Sequence, residues 1–133
     1  MTNPITTPRS LLPHHKLIAY QVAVELLLAV KAANIRDPKL LDQAARAAKS
    51  ACLNCAEGAG RVTRADKARV VAIARGEAVE AVAAVEIAAL CGEAASPTLP
   101  ASLRDAELGA SDAAARCIPI ADRLVALLTG FIR

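Results

Sequence analysis

The run from Gln43 to Arg61, QAARAAKSACLNCAEGAGR, constrains the fold more than any other part of this chain. It begins as a helix and ends in two glycines. Gln43, Arg46, Ser50, Asn54, Glu57 and Arg61 recur at steps of three and four residues, which stacks their side chains along one helical face. A surface helix does not need so ordered a mix of amide, hydroxyl, acid and guanidinium beside alanine. The run therefore reads as a semi-buried polar seam. Arg46, Asn54, Glu57 and Arg61, with Glu80 from a later helix, are expected to pair across helices and set their register.

Start and stop signals place four helices in a chain of one-domain length. Residues 1–12 carry Pro4, Pro8 and several Thr and Ser, and read as a flexible tail. Residues 13–133 form the domain. Pro13 opens a first helix to about Asn34. Asp37-Pro38 pairs an N-cap aspartate with a first-turn proline, and the second helix runs to about Ala59. Thr63-Arg64-Ala65-Asp66 is a capping box in its aspartate form and starts the third helix, which reaches about Ala94. Ser102 with Asp105 opens a fourth that ends near Gly130. Pro119 should kink it and Gly109 weakens it, which leaves two alternatives open, a continuous helix or one broken between Glu107 and Ser111. No strand-like alternation interrupts this pattern, so the class is all-α, with four helices.

Composition matters at this point. Hydrophobic residues make up 55% of the chain but aromatics only 2%, and much of the remainder is alanine. Alanine favours helix but buries little area. Such a core is thin, and association of copies is the natural remedy. On the third helix one apolar strip holds Val70, Val71, Ala74, Ala78, Val85 and Ala88. A second holds Ala72, Val79, Ala83 and Leu90. Two apolar faces predict one for the bundle and one for a neighbouring subunit. Gly76 would let another helix approach closely.

Charge is unevenly spread. Arg9 to Arg75 carries net +7 and the residues from Gly76 onward net −4, within an overall +3. The halves can attract each other within a bundle or between subunits. The N-terminus lacks the basic start and apolar core of a signal peptide, and no apolar run approaches the roughly 18 residues of a membrane span. The expectation is a soluble cytoplasmic protein with no membrane partner and with Cys52, Cys55, Cys91 and Cys117 reduced.

Four pieces of the sequence together resemble a known family. They are Leu17 to Leu26; Gln43, Arg46-Ala47, Ser50, Asn54, Ala56-Glu57-Gly58 and Gly60-Arg61; Ala74-Arg75-Gly76, Glu80, Ile87-Ala88, Leu90 and Gly92; and Leu127 to Arg133. The chain resembles the bacterial four-helix bundle proteins encoded within intervening sequences of 23S ribosomal RNA genes, relatives of the accessory protein of diversity-generating retroelements. The resemblance implies an up-down-up-down four-helix bundle that assembles into a ring-forming homo-oligomer, typically a pentamer, and no enzyme chemistry. The retroelement relatives bind nucleic acid and a reverse transcriptase through a basic surface. The chain departs from the family pattern at Glu77, where serine is usual, and at Ala68 to Ala72, which lack an aromatic.

No catalytic template is present: no phosphate-cradling glycine loop, no His-Glu-x-x-His, no nucleophile elbow. No cofactor and no metal is expected. Cys52-Leu53-Asn54-Cys55 falls deep within a helix, where redox motifs do not sit, and reads as buried thiols. His14 and His15 are expected to be exposed. Arg61, Arg64, Lys67 and Arg69 form a basic cluster at the corner between the second and third helices, a candidate nucleic-acid surface. With no tryptophan, and with Tyr20 and Phe131 far away in sequence, it cannot stack bases, so binding there would be salt-sensitive and weakly sequence-specific. The leading expectation is a non-enzymatic oligomeric scaffold for protein or nucleic-acid interaction. The alternative is an RNA- or DNA-binding accessory factor using the basic corner.

Overall fold

A computed structural model of the chain describes residues 12–94 and 107–132. Four α-helices form within them: α1 Ile18–Ala32, α2 Pro38–Gly60, α3 Arg64–Leu90 and α4 Glu107–Ile132. Each packs against its neighbour in the chain, and α4 returns to α1, so α1 and α3 are diagonal, as are α2 and α4. The described residues contain no strand, only an isolated bridge between Ile35 and Ala94. Residues 1–11 of the expected tail and the Ser102–Asp105 helix start lie outside the described residues.

Two helix starts follow from capping chemistry. The Asp37 carboxylate accepts the Leu40 N–H at 2.9 Å, and Pro38 fills the first helical position, where no N–H is needed. The Thr63 hydroxyl accepts the Asp66 N–H at 3.2 Å, and Asp66 sits in the positive first turn of α3.

Two boundaries differ from the expectation. Pro13 opens only a 3-10 turn, Pro13–Lys16, and Leu17 is extended before α1 begins. His15 holds this turn: its Nδ1 accepts the Leu12 N–H at 3.1 Å, while Gln21 donates to the His15 carbonyl at 3.1 Å. The break turns Leu17 onto the core. At the other end, α3 stops at Leu90 because Gly92 takes φ +70°. Gly92 N–H bonds the Ala89 carbonyl at 3.1 Å and Glu93 N–H the Ala88 carbonyl at 2.7 Å, a Schellman closure. The chain then runs extended past the α1–α2 connection, where Arg36 N–H donates to the Glu93 carbonyl at 2.8 Å and the Arg36 guanidinium to the Gly92 carbonyl. Helix α4 continues unbroken through Gly109 and Pro119. Pro119 is exposed, as is Ala115 one turn before it, so the carbonyl that loses its partner faces water.

The core runs between the four helices. Of its buried apolar residues more than half are alanine, and the largest fully buried side chains are Leu26, Leu124 and Leu128. All six residues of the first strip on α3 are buried. Small side chains draw the axes together, most tightly at Gly58, where an added Cβ would lie 3.0 Å from Val71 Cγ2. Gly76, by contrast, has no packing atom of the described residues within 4 Å of the position a Cβ would take. In a helix interior that glycine weakens the fold without helping its packing. Gly76→Ala should therefore raise the stability of the isolated subunit by about 1 kcal/mol in urea denaturation. A loss of stability would mean that Gly76 has a packing role within its own bundle.

Candidate functional site

The outer face of α3 carries the second apolar strip. Ala72, Val79 and Leu90 are exposed and Ala83 is half-buried, with Val79 50% and Leu90 87% exposed. Ile73 and Ile87 are exposed beside them. From Ala72 to Leu90 the strip runs about 27 Å at the helical rise. It faces away from the bundle, so the described residues do not wrap α3 on both sides. An open groove of about 310 Å³ lies between α3 and α4, walled by Val79, Ala83, Ile118 and Val125 with Glu86 and Asp122 among its lining residues. Sequence reasoning did not find the α4 contribution. Its signal was faint, because Ile118 sits beside Pro119 and was read only as part of an interrupted helix.

The polar seam takes a different form from the expected one. Gln43 and Arg46 are exposed, and Arg46 pairs with Asp42 on its own helix at 3.2 Å rather than across helices. Asn54, half-buried, donates to the Ser50 carbonyl at 2.9 Å and to the Ser50 hydroxyl at 3.1 Å. Glu57 pairs with Arg61. One link crosses elements: Arg61 reaches Asp66 at 3.2 Å and ties the end of α2 to the first turn of α3. A helix spaces residues i and i+4 within easy reach of each other, so short pairs along α2 formed where cross-helix pairs were expected. The structure does bring exposed Glu80 near the seam. Together with Glu77 it faces Gln43, Arg46 and Ser50 across a polar cleft of about 350 Å³.

At the α2–α3 corner the basic residues surround an acid. Asp66 is hydrogen-bonded by Arg69 at 3.0 and 3.3 Å as well as by Arg61. The bonds from Arg69, then the charges of Arg61 and Arg69, hold the Asp66 carboxyl below its ordinary value against an opposing desolvation. Glu57 and Asp66 in turn push Arg61 up. Arg61 and Arg69 are thus engaged with carboxylates. Arg64 is exposed, and half-buried Lys67 lies over a shallow slot with Lys16 and Phe131.

The cysteines are not arranged for chemistry. Cys52, Cys55 and Cys117 are free and buried. Burial pushes their thiols up to about 11, about 12 and about 11 respectively, with Cys52 adding to the effect on Cys55. Such thiols stay protonated and unreactive near neutral pH. Cys91 is exposed at the end of α3. A maleimide or disulfide reagent at neutral pH should label one thiol per chain quickly, at Cys91, and the other three only on unfolding. Fast labelling of a second thiol in the folded protein would contradict this burial.

His14 and His15, expected to be exposed, are half-buried. The His14 ring meets Tyr20 edge-on at 4.9 Å, and burial together with the neighbouring His15 lowers its pKa. The two histidines serve the start of α1 because the extended Leu17 folds their turn back onto that helix. Among the described residues no group of three or more His, Cys, Asp or Glu is placed to hold a metal ion. No helix among them is long and apolar enough to cross a membrane.

Residues 15–104, about two thirds of the chain and including α1, α2 and α3, match the family model described as 23S rRNA-intervening sequence protein. No curated protein matches the chain.

Proposed function

The chain belongs to the 23S rRNA-intervening sequence protein family, and we propose that it acts as a non-catalytic cytoplasmic scaffold assembled from copies of itself in a closed ring, a pentamer. The observation that carries this reading is the outer face of α3. A monomer has no reason to leave Val79, Ile87 and Leu90 in water along a stripe of small residues. The thin alanine core supports it too, since burying that stripe adds the apolar area that the subunit lacks. Gly76 fits the same picture, because its bare backbone lies open on an exposed part of α3 with none of the described residues against it.

Light scattering on the purified protein tests the reading. The native chain should be several times the mass of one subunit. Val79→Glu combined with Ala83→Glu should release folded monomers, because two carboxylates would be forced into an apolar contact. A native chain that stays monomeric at tens of micromolar would end the proposal.

The second reading is nucleic-acid binding at the α2–α3 corner. The excess of basic residues before Gly76 favours it. The engagement of Arg61 and Arg69 by Glu57 and Asp66 counts against it, since phosphate would have to compete with carboxylates already in place. A scaffold that also touches nucleic acid would retain RNA or DNA at low salt and lose it steeply as salt rises. No retention at low salt would remove this reading and leave the assembly untouched.

A further inference from the structure

We infer that the surface which fills the α3–α4 groove is the outer face of α2 on a second copy of this chain, with Leu53 as the inserted side chain and Lys49 facing the carboxylates of the groove. The inference rests on the assembly reading above and names both sides of the contact.

Leu53 is 70% exposed, although its neighbours one turn before and after it on the same face, Lys49 and Glu57, are charged and exposed. Lys49, one turn earlier on the same face, is exposed and forms no ion pair with any described residue. The outer side of α2 thus presents an apolar projection with a free cation about 6 Å along the helix. The groove presents the complement. Val79, Ala83, Ile118 and Val125 supply apolar walls, and Glu86 and Asp122 are exposed and outside every ion pair among the described residues. An apolar knob beside a cation therefore matches an apolar groove beside two anions. Charge complementarity selects the α2 face of a like copy over a second groove, because groove against groove would bring four carboxylates together.

Position in the bundle supports the same conclusion. Helices α2 and α4 are diagonal, so the projection and the groove occupy different faces of one subunit. Each copy can offer its projection to one neighbour and its groove to another. A head-to-tail contact of this kind closes into a ring or runs into a filament, and never stops at a two-fold dimer.

Light scattering and sedimentation of four variants provide the test, with far-UV circular dichroism confirming that each is folded. Leu53→Ser should weaken assembly at least about tenfold. Lys49→Glu alone and Glu86→Lys alone should each weaken it, and the two together in one chain should restore it, because the pair then meets with its charges exchanged. All of Leu53, Lys49 and Glu86 lie on the subunit surface, so the fold should survive each change. If the native chain assembles and Leu53→Ser and Lys49→Glu assemble equally well, this contact is wrong while the assembly reading stands. If the exchange pair fails to restore what the single changes lose, Lys49 and Glu86 are not partners and the inference is overturned. If the native chain is monomeric, both readings fall together.

Discussion

Leu124→Ala should lower folding stability by about 2–5 kcal/mol, the largest effect of any conservative change in this chain. Leu124 is fully buried on α4, which packs against both α1 and α3. Because alanine supplies most of the surrounding core, the three buried leucines provide an unusual share of its apolar area. Truncating one removes several methyl and methylene groups and leaves a cavity between helices whose other side chains are too short to fill it. A small domain has about 5–15 kcal/mol in total, so the variant should unfold at a clearly lower urea midpoint and melt many degrees earlier. Leu28→Ala is the control. Leu28 is 59% exposed, and its loss should stay within about 0.5 kcal/mol. The comparison belongs at one fixed protein concentration, since assembly feeds into apparent stability. A Leu124→Ala penalty below 1 kcal/mol would mean that the core is not closed where the structure closes it.

Gly58→Leu is expected to have the next largest effect, about 1–3 kcal/mol of destabilisation from overpacking. An added Cβ meets Val71 Cγ2 at 3.0 Å, Val70 Cγ1 at 3.7 Å and the Lys67 backbone carbonyl at 3.8 Å. Val71 can give by a few tenths of an ångström, so Gly58→Ala should be mild, its crowding partly offset by better helix propensity. The remaining atoms of leucine would meet the α3 backbone itself, which cannot step aside without parting α2 from α3 at their corner. That corner also holds the Arg61–Asp66 link, so a forced separation should weaken it too. Gly60→Leu provides the contrast, since nothing lies within 4 Å of a Cβ there. Equal urea midpoints for the two leucine variants would show that the close approach at Gly58 is not a constraint.

The helix starts at Asp37-Pro38 and Thr63 were legible because each depends on residues within one turn of each other. The end of α3 was not, although Gly92 was in plain view. A glycine near a helix end says only that a left-handed residue is allowed. Whether the helix stops there depends on the chain beyond it finding partners, here Ile35 and Arg36 from a connection more than fifty residues earlier. At Pro119 the helix runs on. Sequence records the lost hydrogen bond, but not that the orphaned carbonyl would face solvent, where the loss matters least. The seam on α2 was legible as a face and misjudged as a contact. Periodicity shows which side chains align on a helix and is silent on what lies opposite.

The amino-acid sequence by itself determined an all-helical bundle, its two capped helix starts, the burial of one strip of α3 and the outward turn of the other. Those follow from local hydrogen bonding and from periodicity, which act over three or four residues. Only the tertiary structure decided that Ile118 and Val125 join Val79 and Ala83 in one groove, that Asp66 sits among the corner arginines, and that Leu53 stands clear of the bundle. Each of these depends on how far the helix axes approach and how each helix is rotated, and those are set by packing summed over the whole core rather than by any short stretch of chain.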